Sequence, residues 1–590
     1  MNKTTEAALT LALTCSGTLA TAAGSLSPER WPTGEYTRYL GAQGSVRMEA
    51  GYASGKNGAV TVAYNALAAR AGLEALQQGG NAMDAALTTA VTQVALTAGA
   101  PVSYFGILSL VYYDAKTGKV YTMNAEWNTV RGETDPRTIP GKIDLSTQMG
   151  TLGTEPSGRT ALVGGFMKGV EAAHRRFGRV PFRSLFEPAI YVADHGMPVT
   201  KGLAWFLSLR SQDLKRLPAT RAIFTKPDGS DYRAGDTFYQ HQLAKTLRAV
   251  ASDGTDYMYK GPWAKKLVAA VQADGGRMTL EDLAKYEVIW DEPLVGRFGD
   301  YQIYTNPPPN LGGVAVIEGQ NLARAAGLVK DGHWSKSGPA LRKALDASQV
   351  VFLDYLPDEV KRQIYPGLDF SSAARITPAH AEALWKRMQA GATAFRWVPA
   401  DIHHSDDVVA IDHEGNIAAL THSINCVFWG KTGINIDGVS IGDPAAFQQM
   451  QMAAITPGGR LPAPTEQGIL FRDGKPTLGF ASMGSGLHQR TFQALLNITE
   501  FGMSVREAID APDFFLPQTD PKTFALTVMV PKGRFDTRVL ESTGYAYREV
   551  ESQQERLKGE GVWVGISRDP ATGDLEAASH NRSNSAAVAY

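Results

Sequence analysis

One stretch limits what this chain can become more than any other: His403-His404-Ser405-Asp406-Asp407 and the run from Val408 to Asn425. Val408-Val409-Ala410-Ile411 is short, apolar and β-branched. Asp412-His413-Glu414-Gly415-Asn416 has turn chemistry, and Ile417 to Asn425 resumes an apolar run that ends in hydroxyl and amide side chains. The pattern predicts a hairpin, with Ser405 just before a strand destined for burial. Two His, one Ser and two Asp are poor company for such a strand unless they do chemistry.

The bulk properties exclude some partners. The chain has 590 residues, 44% hydrophobic and 20% charged, with a formal net charge of -1. Length alone allows several domains. Without a basic excess, neither nucleic acid nor an anionic membrane surface is expected as the main partner. No apolar run beyond the N-terminus approaches the ~20 residues of a membrane helix. At the N-terminus, Lys3 precedes the apolar run Ala7 to Leu13, and Ala20-Thr21-Ala22 fits a small-x-small cleavage site. This predicts a signal peptide over residues 1–23 and a periplasmic or secreted protein; Glu6 and the interleaved threonines leave a disordered tail as the alternative. Cys15 lies in this segment, so the mature chain holds only Cys426 and no intramolecular disulfide.

Residues 24–57 read as a surface lead-in. Gly58 to Ala63 predicts a strand, Ala66 to Leu76 a helix, and Asn81 caps a second helix reaching about Ala98, with Asp84 in its first turn. Strands follow at Ile107 to Tyr113 and Val120 to Asn124. Residues 161–290 read as mostly helical, with a capping box at Thr279 and Asp282. From Asp407 the chain turns strand-rich again, through Gly561 to Ser567, Leu575 to Ala578 and Ala586 to Tyr590. Strands at both ends around helices predict one large α+β unit.

Four segments together resemble the γ-glutamyltransferase family of N-terminal-nucleophile (Ntn) hydrolases. They are Gln78-Gly79-Gly80-Asn81-Ala82-Met83-Asp84-Ala85-Ala86; Gly276 to Leu283 with Glu292-Pro293-Leu294 and Pro307 to Gly313; Asp412 to Asn425; and Ala586 to Tyr590. The resemblance spans roughly residues 58–590. It implies a four-layer αββα sandwich and a proenzyme that cuts itself between His404 and Ser405. The large subunit would be 24–404 and the small subunit 405–590, paired as a heterodimer. Counting back from Asp412, the family's nucleophile falls on Ser405, whose freed α-amine, with a pKa of roughly 7.7–8.0, would serve as its own base. Ser423 falls where the family bonds the nucleophile, and Asn425 on its substrate-binding asparagine. Ser482-Met483-Gly484-Ser485-Gly486 resembles the oxyanion loop, with the main-chain N–H groups of Gly484 and Ser485 as donors. Thr421, one pleat from Ser423, reads as an ordinary polar position on a half-exposed strand.

Other segments depart from the family. Its arginine for the glutamyl carboxylate aligns with Glu126, its two carboxylate-binding serines with Ala463 and Pro464, and its acidic amine-binding segment with Gly442 to Phe447. Tyr104, Phe105, Trp127, Phe428 and Trp429 make the region bulkier; core packing is the alternative for these rings and the expected role of Phe428, which the family shares. Losing a buried ion pair costs several kcal/mol, so the expected substrate is a small-molecule amide with a larger, less charged acyl group. Glu126 and Trp429 are placed at its pocket beside Asn425. The alternatives are γ-glutamyl hydrolysis or transfer through a rebuilt clamp, and an uncleaved, inactive Ntn-fold binding protein. No cofactor is expected. Nor is a metal, since neighbours on an extended chain point opposite ways and His403, His404, Asp406 and Asp407 make a poor chelate.

Overall fold

The computed structural model describes residues 24–44, 51–141, 155–356, 358–391, 405–515, 517–519, 525–556, 559–580 and 584–590. The expected signal peptide and the His403-His404 side of the expected cleavage site lie outside them.

Two seven-stranded antiparallel sheets form the centre. The first runs, edge to edge, Ala586–Ala589, Gly58–Val62, Ser405–Asp412, Ile417–Ser423, Ile107–Asp114, Lys119–Ala125 and Ile289–Asp291. The second runs Gly51–Gly55, Leu575–Ser579, Val562–Arg568, Lys475–Met483, Glu466–Arg472, Tyr301–Thr305 and Leu294–Phe298. Alternation sorts each strand's side chains onto two faces. Val409, Ile411, Ile417, Ala419 and Val111 face Ile469, Ala481, Val562 and Val564 in a core between the sheets. The intervening residues Val408, Ala410, Ala418 and Leu420 pack outward on helices Ala66–Gln77, Ala82–Leu96 and Phe166–Phe177. Behind the second sheet, Ile303, Leu470 and Phe480 pack on helices Gly312–Ala325 and Leu487–Thr499. The layers are helix, sheet, sheet, helix, as expected. Among the described residues no helix is long and apolar enough to cross a membrane.

The hairpin turn ties the layers together. Asp412 Oδ1 accepts the N–H groups of Glu414 and Asn416, each at 3.0 Å, which closes the turn. Its Oδ2 accepts Ala82 N–H at 2.9 Å and so holds the start of helix Ala82–Leu96. Asn81 and Asp84 form the capping box at the same end. Two of the segments read as motifs in the sequence therefore meet in space.

Two expectations need correction. The 24–57 lead-in contains an edge strand, Gly51–Gly55, paired with Leu575–Ser579; that pairing is main-chain, so the Gly- and Ser-rich sequence carries no alternation to reveal it. Ser405 does not precede the strand but is its first residue.

Candidate active site

Ser405, Asp407, Thr421 and Ser423 of the Ser405–Ser423 hairpin sit on the face turned to the second sheet. Ser405 pairs with Ser423, and Ser423 with Ile107. One pleat deeper, Asp407, Thr421, Ser109 and Asn124 form a row across four strands. The next row, Val409, Ala419, Val111 and Thr122, returns to the apolar core. So this end of the inter-sheet space has a polar floor and the rest is dry.

Ser405 is half-buried at the front of that floor. Ser423 Oγ accepts Asn425 N–H at 2.9 Å, across a turn in which Asn425 is left-handed at φ 49°. This brings Ser405, Ser423 and Asn425 to one corner. Thr421 is fully buried, not half-exposed, because strands pair on both sides of it; its hydroxyl donates to Asp407 Oδ1 at 2.7 Å. Burial pushes the Asp407 carboxyl well above the usual range, and nearby Glu466 adds to the rise. Asp407 was not singled out as a site residue, since in sequence it is simply one of two adjacent acids.

Gly106 brings the neighbouring loop up to this corner: a Cβ there would lie 2.2 Å from Ser423 O. The loop at Gly484, Ser485 and Gly486 leaves strand Lys475–Met483, which packs on strands Ser405–Asp412 and Ile417–Ser423 from the second sheet. It leads straight into helix Leu487–Thr499, whose N-terminus adds positive potential. Gly484 is left-handed at φ 91°, and a Cβ on Gly486 would lie 2.2 Å from Gly559 O. The loop is thus fixed by main-chain contact. His488, in the first turn of the helix, hydrogen-bonds Glu466 on the adjacent strand.

Glu126 is fully buried among donors. Asn124 Nδ2 donates to it at 3.0 Å, Asn310 Nδ2 and Thr465 Oγ1 each at 3.1 Å, and the Ser109 hydroxyl also bonds it. Burial raises its carboxyl above the ordinary value; the bonds from Ser109 and Asn310 and the charge of Arg460 oppose that. Arg460 is itself held by Asn124 O at 2.6 Å, Asn128 Oδ1 at 2.7 Å and Glu287 O at 2.6 Å. Arg131 is 3.5 Å from Asp282 and serves that carboxylate. Asn310, Thr465 and Ser109 escaped the sequence reading because each comes from a different strand or loop and only the fold assembles them.

The aromatic residues divide. Trp127 packs with Ile107, Leu162, Leu461 and Ala463, next to the floor. Tyr104, Phe105, Phe428 and Trp429 stand instead in the helix-side core. Trp429 Nε1–H donates to Ala98 O at 2.8 Å, its ring meets Phe224 edge-on, and φ is 57°. Its bulk braces the loop after Asn425 from behind. Among the described residues no group of three or more His, Cys, Asp or Glu is placed to hold a metal ion.

A polar corner with a half-buried serine, a bonded partner hydroxyl and a rigid main-chain loop at a helix start can perform nucleophilic acyl transfer. The model of the gamma-glutamyltranspeptidase family matches residues 68–590. The glutathione hydrolase proenzyme of Bacillus subtilis (strain 168) is 30% identical over 493 residues, covering 78% of this chain and 81% of that protein. The Acylase ACY 1 proenzyme of Pseudomonas sp. (strain SE83) is 27% identical over 491 residues, covering 78% and 82%. Among solved structures, the cephalosporin acylase from Bacillus halodurans superposes with a TM-score of 0.72 over 91% of this chain and 97% of that one, at 22% identity; that likeness speaks to the fold.

Proposed function

The chain belongs to the gamma-glutamyltranspeptidase family, and from that premise we propose that it is an exported, self-cleaving Ntn amidohydrolase acting on an amide whose acyl group is not γ-glutamyl. In the precursor, Ser405 Oγ attacks the His404 carbonyl, the acyl group shifts from nitrogen to oxygen, and water hydrolyses the ester. The two products, 24–404 and 405–590, stay together as a heterodimer. The freed α-amine, with a pKa of roughly 7.7–8.0, then takes the Ser405 hydroxyl proton at neutral pH. The hydroxyl attacks the substrate carbonyl. The oxyanion is held by the main-chain N–H groups of Gly484 and Ser485, and the leaving amine departs with the proton. Water releases the acyl group from the seryl ester by the same route. Ser423 orients the nucleophile, and Asn425 binds the substrate.

The observation that carries the substrate reading is the saturated Glu126. It stands where the resemblance places a carboxylate-binding arginine, and four donors already occupy its oxygens. Arg460, whose charge reaches Glu126, has its N–H groups on neutral acceptors. A substrate α-carboxylate would meet the Glu126 carboxyl and find no guanidinium N–H turned to it, whereas a neutral acyl group leaves every bond intact. Trp127 lines its apolar side, and Trp429 supports the pocket through the loop. The name of the Pseudomonas acylase fits this reading better than that of the Bacillus hydrolase. The test is a panel of N-acyl amides with neutral acyl chains against γ-glutamyl-p-nitroanilide. Higher kcat/KM for the neutral amides is expected; faster cleavage of the glutamyl compound overturns the reading.

A further inference from the structure

We propose that Asp406 and His422 share a hydrogen bond, Asp406 Oδ2–H to His422 Nδ1, on the reverse face of the strand pair bearing Ser405 and Ser423, and that the two act there as positioning residues for the nucleophile. The functional part rests on the reading of Ser405 above; the bond itself does not.

The strand register supplies the juxtaposition. Ser405 pairs with Ser423, so the next residues, Asp406 and His422, pair with each other and point the opposite way, toward helix Ala82–Leu96. Cβ atoms of such cross-strand neighbours lie about 5 Å apart. A carboxyl oxygen and Nδ1 can meet across that gap by side-chain rotation alone. Both residues are fully buried, and each has one polar atom without a partner: Asp406 Oδ2 and His422 Nδ1. A buried polar atom left unpaired costs about 1–3 kcal/mol. Two such atoms on facing side chains call for a common explanation.

The remaining bonds of the cluster decide which atom donates. Gln93, on the helix, donates through Nε2 to Tyr64 O at 3.2 Å and to Asp407 O at 3.5 Å. That orientation turns its Oε1 toward His422 Nε2, 2.8 Å away. Nε2 therefore carries the imidazole proton and Nδ1 offers a lone pair. On the other side, Asp406 Oδ1 accepts Tyr64 N–H at 3.2 Å and Asp407 N–H at 3.0 Å. Oδ2 is left for the proton. The surroundings favour two neutral partners. Burial and the neighbouring Asp407 carboxyl raise Asp406, and burial brings His422 down to about 3. The Phe166 ring covers the imidazole, with centroids 5.3 Å apart.

The bond closes a ring of buried polar groups running from Gln93 through His422 and Asp406 to Tyr64. This matters because cleavage turns Ser405 into a chain end, and chain ends fray unless tied down. Asp406 is the second residue of the new chain. Pinning it to the neighbouring strand and to the helix keeps Ser405 opposite Ser423, in the geometry that attack requires.

The test uses cleaved, full-length protein. Infrared difference spectra between the wild type and Asp406→Asn should show a protonated-carboxyl C=O band that the variant lacks. In 15N-histidine spectra, with His422→Gln for assignment, His422 should be the neutral Nε2–H tautomer with Nδ1 shifted as an acceptor. Asp406→Ala should lower kcat by about 10- to 100-fold with KM little changed, and Asp406→Asn, which keeps a donor at that atom, should recover most of the loss. An ionised Asp406, a protonated His422, an unbonded Nδ1 in the wild type, or an unchanged kcat in Asp406→Ala would each overturn the proposal. Full activity in Ser405→Ala would sink the nucleophile reading instead and leave the two spectra as they are.

Discussion

On the proposed reading, Glu126 is where one change of charge redirects the site. An arginine at this position would face Asn124, Asn310, Thr465 and Ser109, all of them donors here; a carboxylate turns the same ring into a satisfied network. In Glu126→Gln an NH2 group must face one of those donors. A loss of about 1–3 kcal/mol is expected, read as a lower denaturant midpoint; an unchanged midpoint would show that the network is slack. At Ser423, alanine leaves Asn425 N–H without its acceptor and removes the hydroxyl beside Ser405. About a 10- to 100-fold fall in kcat should follow in cleaved Ser423→Ala protein. Ser405, Ser423 and Asn425 were legible because a turn with fixed spacing, Asp412 to Asn416, sets their register within one hairpin. Asp407, Ser109, Asn310 and Thr465 were not, because short polar residues scattered over 356 positions of sequence acquire a shared role only when sheets stack.

Among the elements, the two loops at the Ser405 corner are built by close main-chain approach. Gly106 lies against Ser423 O, and Gly486 against Gly559 O, each with room for no side chain. Gly486→Ala must push the loop at Gly484 and Ser485 away from the backbone of Gly559, Glu560 and Gly561. Misplacing an oxyanion donor costs roughly 10²–10³ in kcat, so a drop of that order with self-association of the two subunits intact is expected from steady-state kinetics. Activity at the wild-type level would remove the loop from the mechanism. The helices with capping boxes, at Asn81 and Thr279, were readable to within a residue at their starts, since capping is local. Strand Gly51–Gly55 and the left-handed run at Asn425, Phe428 and Trp429 were not. The first is set by its partner strand, and the second by packing of Phe206 and Phe224 beneath the loop.

For the whole molecule, burying ionisable groups beneath Ser405 gives stability a pH dependence of definite sign. His422 falls to about 3 in the fold from 6.5, so its contribution is complete above 6.5 and is lost as pH falls toward 3. Asp407 moves the other way: its folded value lies above 3.8, so its contribution is complete below 3.8 and is lost as pH rises through the folded value. Thermal melts should therefore show His422→Gln losing less stability than the wild type on acidification. Asp407→Asn should lose less on going alkaline. Parallel curves for wild type and variants would contradict the buried, neutral state of both groups. The two sheets also explain how the chain would tolerate the proposed cut: strands Ser405–Asp412 and Gly58–Val62, from opposite sides of it, pair in the same sheet. Cleavage there would free Ser405 without freeing the subunit. N-terminal sequencing of the purified protein tests this most directly. Two chains of about 41 and 20 kDa, by share of the 63.5 kDa total, are expected, the smaller beginning Ser-Asp-Asp-Val-Val, with Ser405→Ala remaining a single chain. An intact wild-type chain, or a small chain that starts anywhere else, would contradict Ser405 as the nucleophile.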